Sequence, residues 1–213
     1  MNADSDSFRQ RRHDATAEII ITAADAAIAR TGYARVTMRD IAAQAGCAPG
    51  TLYLYFKSKR AVLNAIAERH SERLIAAMTA AAATANTPLE KLRRTEDAGV
   101  RHFLEHRALM EALTGVLTPT GPGELKRGHL PHLLKLWSKF WDFELGLIHA
   151  AQARRELRRD LPPELLQEYL HAALHGILLN VNRPPWPADR DEQCRLVWRL
   201  LSAGLGAKPE GRR

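Results

Sequence analysis

The stretch from Thr37 to Lys59, TMRDIAAQAGCAPGTLYLYFKSK, constrains the chain most, because glycine and proline interrupt it at intervals that leave room only for short helices. Its first half reads as a helix. Thr37 is an N-cap candidate with Asp40 three residues on, and Ile41, Ala42 and Ala45 form an apolar stripe. Gly46 stops that helix. After Cys47, Ala48-Pro49-Gly50 opens a second one, with Pro49 early enough that its missing N–H breaks no helical bond, and Thr51 to Phe56 completes it. Two short helices around a tight glycine turn are the pattern of a helix-turn-helix.

The flanking sequence extends this unit. Residues 1–8 are polar and predict a disordered leader, after which Ile20, Ala23, Ala24, Ala27 and Ile28 recur at helical spacing over 15–30, and Gly32 ends that helix. Tyr33 and Val36 are the apolar plugs that would hold it against the helix-turn-helix, giving a three-helix unit over 9–59. A long helix capped by Ser58 follows through the Ala-rich region to about Asn86, and Thr87-Pro88 marks a boundary, so 60–87 reads as a linking helix. Beyond it the pattern predicts helices near 88–106, 107–117, 124–156, 163–182 and 189–206, with 207–213 as a tail. Pro131 moves the start of the third toward Leu130. No strand signal competes, so the fold class is all-α: an N-terminal three-helix domain and a second helical domain over 88–206.

The run Gly46, Gly50, Thr51, Leu52, Tyr53, Tyr55, Phe56 and Lys59, following the threonine that opens the preceding helix, resembles the DNA-binding domain of the tetracycline-repressor (TetR) family. The resemblance covers roughly the first third of the chain. It implies that the second short helix enters the major groove of double-stranded DNA while the first lies near the backbone. Carried over by position, Thr37, Thr51, Tyr53 and Tyr55 contact phosphates, Lys57 and Lys59 neutralise them, and Arg39 reaches a base, guanine being the preferred target of a guanidinium fork. Met38 lies beside them. Ala48, Pro49, Gly50 and Leu54 offer no side-chain hydrogen bond to a base edge, leaving apolar contact with thymine methyl groups and DNA shape. Leu52 and Phe56 are expected in the core.

A formal charge of +7 agrees with an anionic partner. The two cysteines, Cys47 and Cys194, have no metal-type spacing and exclude a disulfide scaffold, so both thiols are expected free. No apolar run has membrane-spanning length and no targeting segment stands at the start, from which a cytoplasmic protein without membrane contact is expected.

In the second domain the helix after Leu130 carries Leu133, Leu136, Trp137, Phe140, Trp141, Leu145 and Ile148 on a broad apolar face. In TetR-type proteins this region lines a ligand cavity, and Phe103, His106, Met110, Trp137, Trp141, His171 and His175 have the mix of apolar walls and few polar groups that such a cavity needs. The last two helices are more apolar than a monomer requires, and the resemblance implies that they pair with their copies in a four-helix bundle. The expectation is a homodimeric regulator, a repressor by the family's usual sign, that binds a palindromic operator and is released by a small-molecule effector, with no catalysis and no cofactor. Two alternatives remain: a metal-dependent hydrolase using the His102-x-x-Glu105-His106 motif, for which no third ligand is visible, and a DNA-binding protein that senses nothing. His171 and His175 form a second pair at four-residue spacing. The segment Arg154 to Arg159 reads as a solvated helix end.

Overall fold

The computed structural model describes residues 3–109, 131–178, 180 and 185–206, and all regular structure among them is helical. The helices are α1 (Ala3–Thr31), α2 (Met38–Gln44), α3 (Pro49–Tyr55), α4 (Lys59–Ala83), α5 (Pro88–Glu105), α6 (Pro131–Ala153), α7 (Pro163–Leu178) and α8 (Arg190–Leu205). Among the described residues they form two compact units, one of residues 3–70 and 106–109 and one of residues 71–105, 131–178, 180 and 185–206. The expected helix at 107–117, the start of the one expected at 124–156, and Met110 fall largely or wholly outside the described residues.

In the first unit, α1 is longer than its apolar periodicity suggests. Residues 3–8, expected as a disordered leader, are helical and continuous with the rest of α1. The sequence before Ala15 lacks an apolar stripe, so pattern alone could not extend the helix there. Gly32 and Gly46 adopt positive φ (79° and 67°), the left-handed geometry that ends α1 and turns the chain from α2 toward α3. Thr37 caps α2 in a full capping box: its hydroxyl accepts from the Asp40 N–H, and Asp40 accepts from the Thr37 N–H. The core joins Ile20, Ala24 and Ile28 of α1 to Ile41 of α2, Leu52 of α3 and Leu63 and Ile66 of α4, all essentially buried. Val36 is buried, and Tyr33 and Phe56 pack at its edge, half-exposed.

The second unit is built on Leu92, Val100, Ile148, Leu166, Leu170, Val197 and Leu201, drawn from α5, α6, α7 and α8. Asp189 caps α8 by accepting from the Glu192 N–H at 2.8 Å. The ring of Tyr169 lies so close to α8 that a Cβ at Gly204 would collide with it. The Tyr169 hydroxyl donates to the Leu200 carbonyl at 3.3 Å. Leu165, Tyr169 and Leu200 keep large apolar surfaces exposed on these last two helices.

Candidate nucleic-acid interface

The helix-turn-helix divides its side chains cleanly. Ile41 and Leu52 are fully buried, while Arg39, Ala48, Pro49, Gly50, Tyr53, Leu54 and Lys57 are exposed, Leu54 at 73% and Tyr53 at 47%. Burying one leucine of this kind stabilises by about 1.5–3 kcal/mol, so the core holds the exposed face in place without help from it. Thr51 and Met38 are half-buried. The exposed set alternates a guanidinium, a phenol, an ammonium and apolar groups, which suits a polyanion with thymine methyl groups in its groove.

Several of these residues already have structural partners. The Thr37 hydroxyl donates to Asp40 at 2.7 Å; these bonds hold the Asp40 carboxyl below the usual carboxylate range. Lys57 Nζ donates to the Tyr53 carbonyl at 3.0 Å. Lys59 is held in the fold: its ammonium donates to the Ala34 carbonyl at 3.3 Å and lies 4.4 Å over the Tyr33 ring, and burial lowers its pKa. Tyr55 stacks on His13 of α1, with ring centroids 4.6 Å apart. That contact joins residues far apart in sequence, and no local motif signals it.

A second ionic group lies within the same unit. Asp25 of α1 accepts from Arg69 at 2.8 Å and from His70 at 2.7 Å, both on α4. Burial pushes the Asp25 carboxyl up, but the His70 hydrogen bond and the charges of His70 and Arg69 outweigh it and hold the pKa low.

The residues expected to line a ligand cavity are distributed as follows. Phe103 packs against the apolar core of the second unit. Trp137 donates to Ser71 Oγ at 3.2 Å, and its ring lies 6.3 Å from that of Trp141, which in turn lies 6.3 Å from the His171 ring. His175 is exposed on α7. His106 belongs to the first unit, where its ring meets that of His70 edge-on at 4.5 Å. Clefts elsewhere in the second unit include one of about 480 Å³ beside His149, Gln152, Asp160 and Pro163, and it contains none of the expected residues. The motif His102-x-x-Glu105-His106 straddles a helix end, with its first two residues in the last turn of α5 and His106 in the following bend.

Sequence patterning missed a buried acid pair beside Trp141 and His171. Glu144 on α6 is 1% exposed and accepts from His171 Nε2 at 2.6 Å and Gln167 Nε2 at 2.9 Å, while Glu96 on α5 is 2% exposed. Burial, then the charge of Glu144 and the hydrogen bond to it, raise the Glu96 pKa well above the ordinary range. Two carboxyls in hydrogen-bond contact need a proton between them, and Glu96 holds it and donates to Glu144. Among the described residues, Glu96 Oε1 has no hydrogen-bond partner. Both cysteines are free thiols, with burial raising that of Cys194. No helix among the described residues is long and apolar enough to cross a membrane.

A family model described as bacterial regulatory proteins, tetR family, matches residues 20–66, the span from the middle of α1 into α4. Over 123 residues the chain is 31% identical to an uncharacterized HTH-type transcriptional regulator of Mycobacterium tuberculosis, covering 58% of this chain and 60% of that one. It is 34% identical over 110 residues to the HTH-type transcriptional repressor KstR of Mycolicibacterium smegmatis, covering 52% of each chain. The chain thus spans between 52% and 60% of the length of these curated relatives. The fatty acid degradation regulator FadR from Bacillus halodurans is similar in fold, with a TM-score of 0.72 at 22% identity over 91% of this chain and 97% of that one.

Proposed function

We propose that this chain, which belongs to the tetR family of bacterial regulatory proteins, is a transcriptional repressor that binds a palindromic operator as a homodimer and is released by a small-molecule effector. The observation that carries this reading is the exposed face of α2 and α3, where Arg39, Tyr53, Leu54 and Lys57 stand out from a fully buried core. Arg39 reads a base edge. Thr37, Thr51, Tyr53 and Lys57 position the chain on phosphates. The assignment of repression is supported by the similarity to KstR, a transcriptional repressor.

Dimerisation is supported by the exposed Leu165, Tyr169 and Leu200 on α7 and α8, an apolar surface that a second copy would cover. An effector acts by binding one spacing of the two reading heads more tightly than the other, so its differential affinity, and not its affinity, sets the response. Trp137, Trp141 and His171 are the residues around which such a molecule would bind.

Footprinting of the purified protein on the DNA flanking its own coding region, repeated with candidate ligands, tests the reading. The expected result is protection of two inverted half-sites that a ligand abolishes. Absence of specific protection overturns the operator; protection that no ligand alters overturns the effector; and sedimentation as a monomer at micromolar concentration overturns the dimer.

A further inference from the structure

The second unit buries a pair of acids whose hydrogen bonding its own side chains leave incomplete. Glu96 of α5 and Glu144 of α6 are both almost fully buried and meet in hydrogen-bond contact. Glu144 is well supplied, since Gln167 Nε2 and His171 Nε2 of α7 donate to it at 2.9 and 2.6 Å. Glu96 is not. Its Oε1 is buried and has no hydrogen-bond partner among the described residues, a loss that an apolar side chain at this position would avoid.

The charges around the pair are one-sided. On α5 itself Asp97, 3.6 Å from Arg93, adds a third acid, and burial, Glu144 and Asp97 all disfavour the ionised form of Glu96. From α7 the basic group that meets the pair is His171, and it sits on Glu144. The cluster then runs outward through aromatic rings. His171 is half-exposed, its ring lies 6.3 Å from that of the exposed Trp141, and the Trp141 ring lies 6.3 Å from that of Trp137. Gln167 also donates to the Trp141 carbonyl at 2.8 Å, which ties the residue that holds Glu144 to the backbone that carries the ring. Acids at the inner end and ring faces at the outer end suit a cation with an apolar body.

We propose that Glu96 and Glu144 recognise an effector with a primary ammonium group, which takes the place of their shared proton while its apolar body lies against Trp141 and His171. A proton is the smallest cation that such a pair can hold; an ammonium also brings Oε1 the donor it lacks. The three N–H groups of the ammonium serve both carboxylates, and the displaced proton leaves to solvent. Because proton and ammonium compete, binding tightens as pH rises until the pair loses its proton unaided. The proposal rests on the reading that an effector binds around Trp137, Trp141 and His171, and it names the chemical class that this site takes.

The probes are phenethylamine, cationic at neutral pH, and phenethyl alcohol, which has nearly the same shape and a donor but no charge. Each is titrated calorimetrically into full-length wild type, Glu96→Gln, Glu144→Gln and Trp141→Ala, in buffers of different ionisation enthalpy so that protons are counted. Wild type is expected to bind the amine roughly tenfold or more tighter than the alcohol and to release about one proton per amine at about pH 6. Glu96→Gln abolishes the release, and Glu144→Gln and Trp141→Ala weaken amine binding several-fold or more. Equal affinity for the two probes, or proton release that persists in Glu96→Gln, overturns the ammonium class and leaves an aromatic effector site standing. Failure of the amine to bind wild type at millimolar concentration also overturns that class, while the effector reading is decided separately by whether any candidate ligand lifts the footprint. Amine binding that neither Glu144→Gln nor Trp141→Ala alters overturns both the class and the site. Glu96→Gln removes a buried ionisable group and keeps its donor to Glu144, so its lost proton release is not a folding defect, and thermal melts of all three variants verify the fold.

Discussion

The two units bury ionisable groups in opposite ways. In the first, His70 is 2% exposed but meets Asp25, which also takes Arg69, so an acid is matched to a base and a guanidinium. In the second, two acids share one apolar setting: Glu144 takes donors from Gln167 and His171, while Glu96 must keep its proton and leaves one oxygen without a partner among the described residues. An unsatisfied buried oxygen costs on the order of 1–3 kcal/mol. The first arrangement braces α1 against α4 in one geometry. Each leaves one buried polar atom without a hydrogen-bond partner among the described residues, Arg69 Nε in the first and Glu96 Oε1 in the second, so what sets the second apart is two acids on one proton, beside the aromatic side chains proposed to receive an effector.

The sharpest way to break the comparison is Asp25→Ala. It takes the shared carboxylate from a buried imidazole and from a nearly buried guanidinium that keeps Thr22 and Glu18, and the expected loss is on the order of 3 kcal/mol in chemical denaturation. A loss no larger than that of an average surface substitution would show that the group braces nothing. On the exposed side of the same unit, Arg39→Ala should cost about 1–3 kcal/mol in operator affinity and leave unfolding unchanged. Equal losses on operator and random DNA would remove the base contact.

Glu96→Gln tests the other unit, and its sign is opposite. Native Glu96 keeps its proton at pH values where the unfolded chain has released it, so the unfolded state binds fewer protons and stability falls as pH rises above the ordinary carboxylate range. That decline, about 1.4 kcal/mol per pH unit, ends once the raised native pKa is passed. Glutamine still donates to Glu144 and does not ionise, so the variant should be more stable than wild type at neutral pH, with the advantage growing as pH rises. Melting temperatures of both proteins between about pH 5 and 9 measure it; parallel curves would mean that Glu96 does not carry the proton. The smallest effect is expected for Thr37→Ala, which removes the cap of α2 at a cost of about 1 kcal/mol. Denaturation midpoints indistinguishable from wild type would show the capping box to be idle.

The helix-turn-helix was legible because its determinants are local. Thr37 with Asp40, Gly46 at positive φ, and Pro49 at the first position of α3 each act within a few residues of chain, and each is a rule of backbone geometry. The same holds for Gly32 at the end of α1 and Asp189 at the start of α8. The exposed alignment of Arg39, Tyr53 and Lys57 followed from helical spacing around a buried Leu52.

Only the tertiary structure decided which residues meet across helices. Lys59 reads in sequence as a phosphate ligand, yet its ammonium reaches back to Ala34 and Tyr33. His106 reads as a cavity residue, yet it packs on His70 within the first unit. His13 with Tyr55 and Glu96 with Glu144 leave no periodic trace, because a single histidine or glutamate in a helix looks the same whether it faces solvent or another acid. The amino-acid sequence alone determined the all-helical class, the caps and turns, and the exposed face proposed to meet DNA, since these depend on neighbours along the chain. The buried pairings depend on which helix faces which, and that is set by close packing summed over many distant residues.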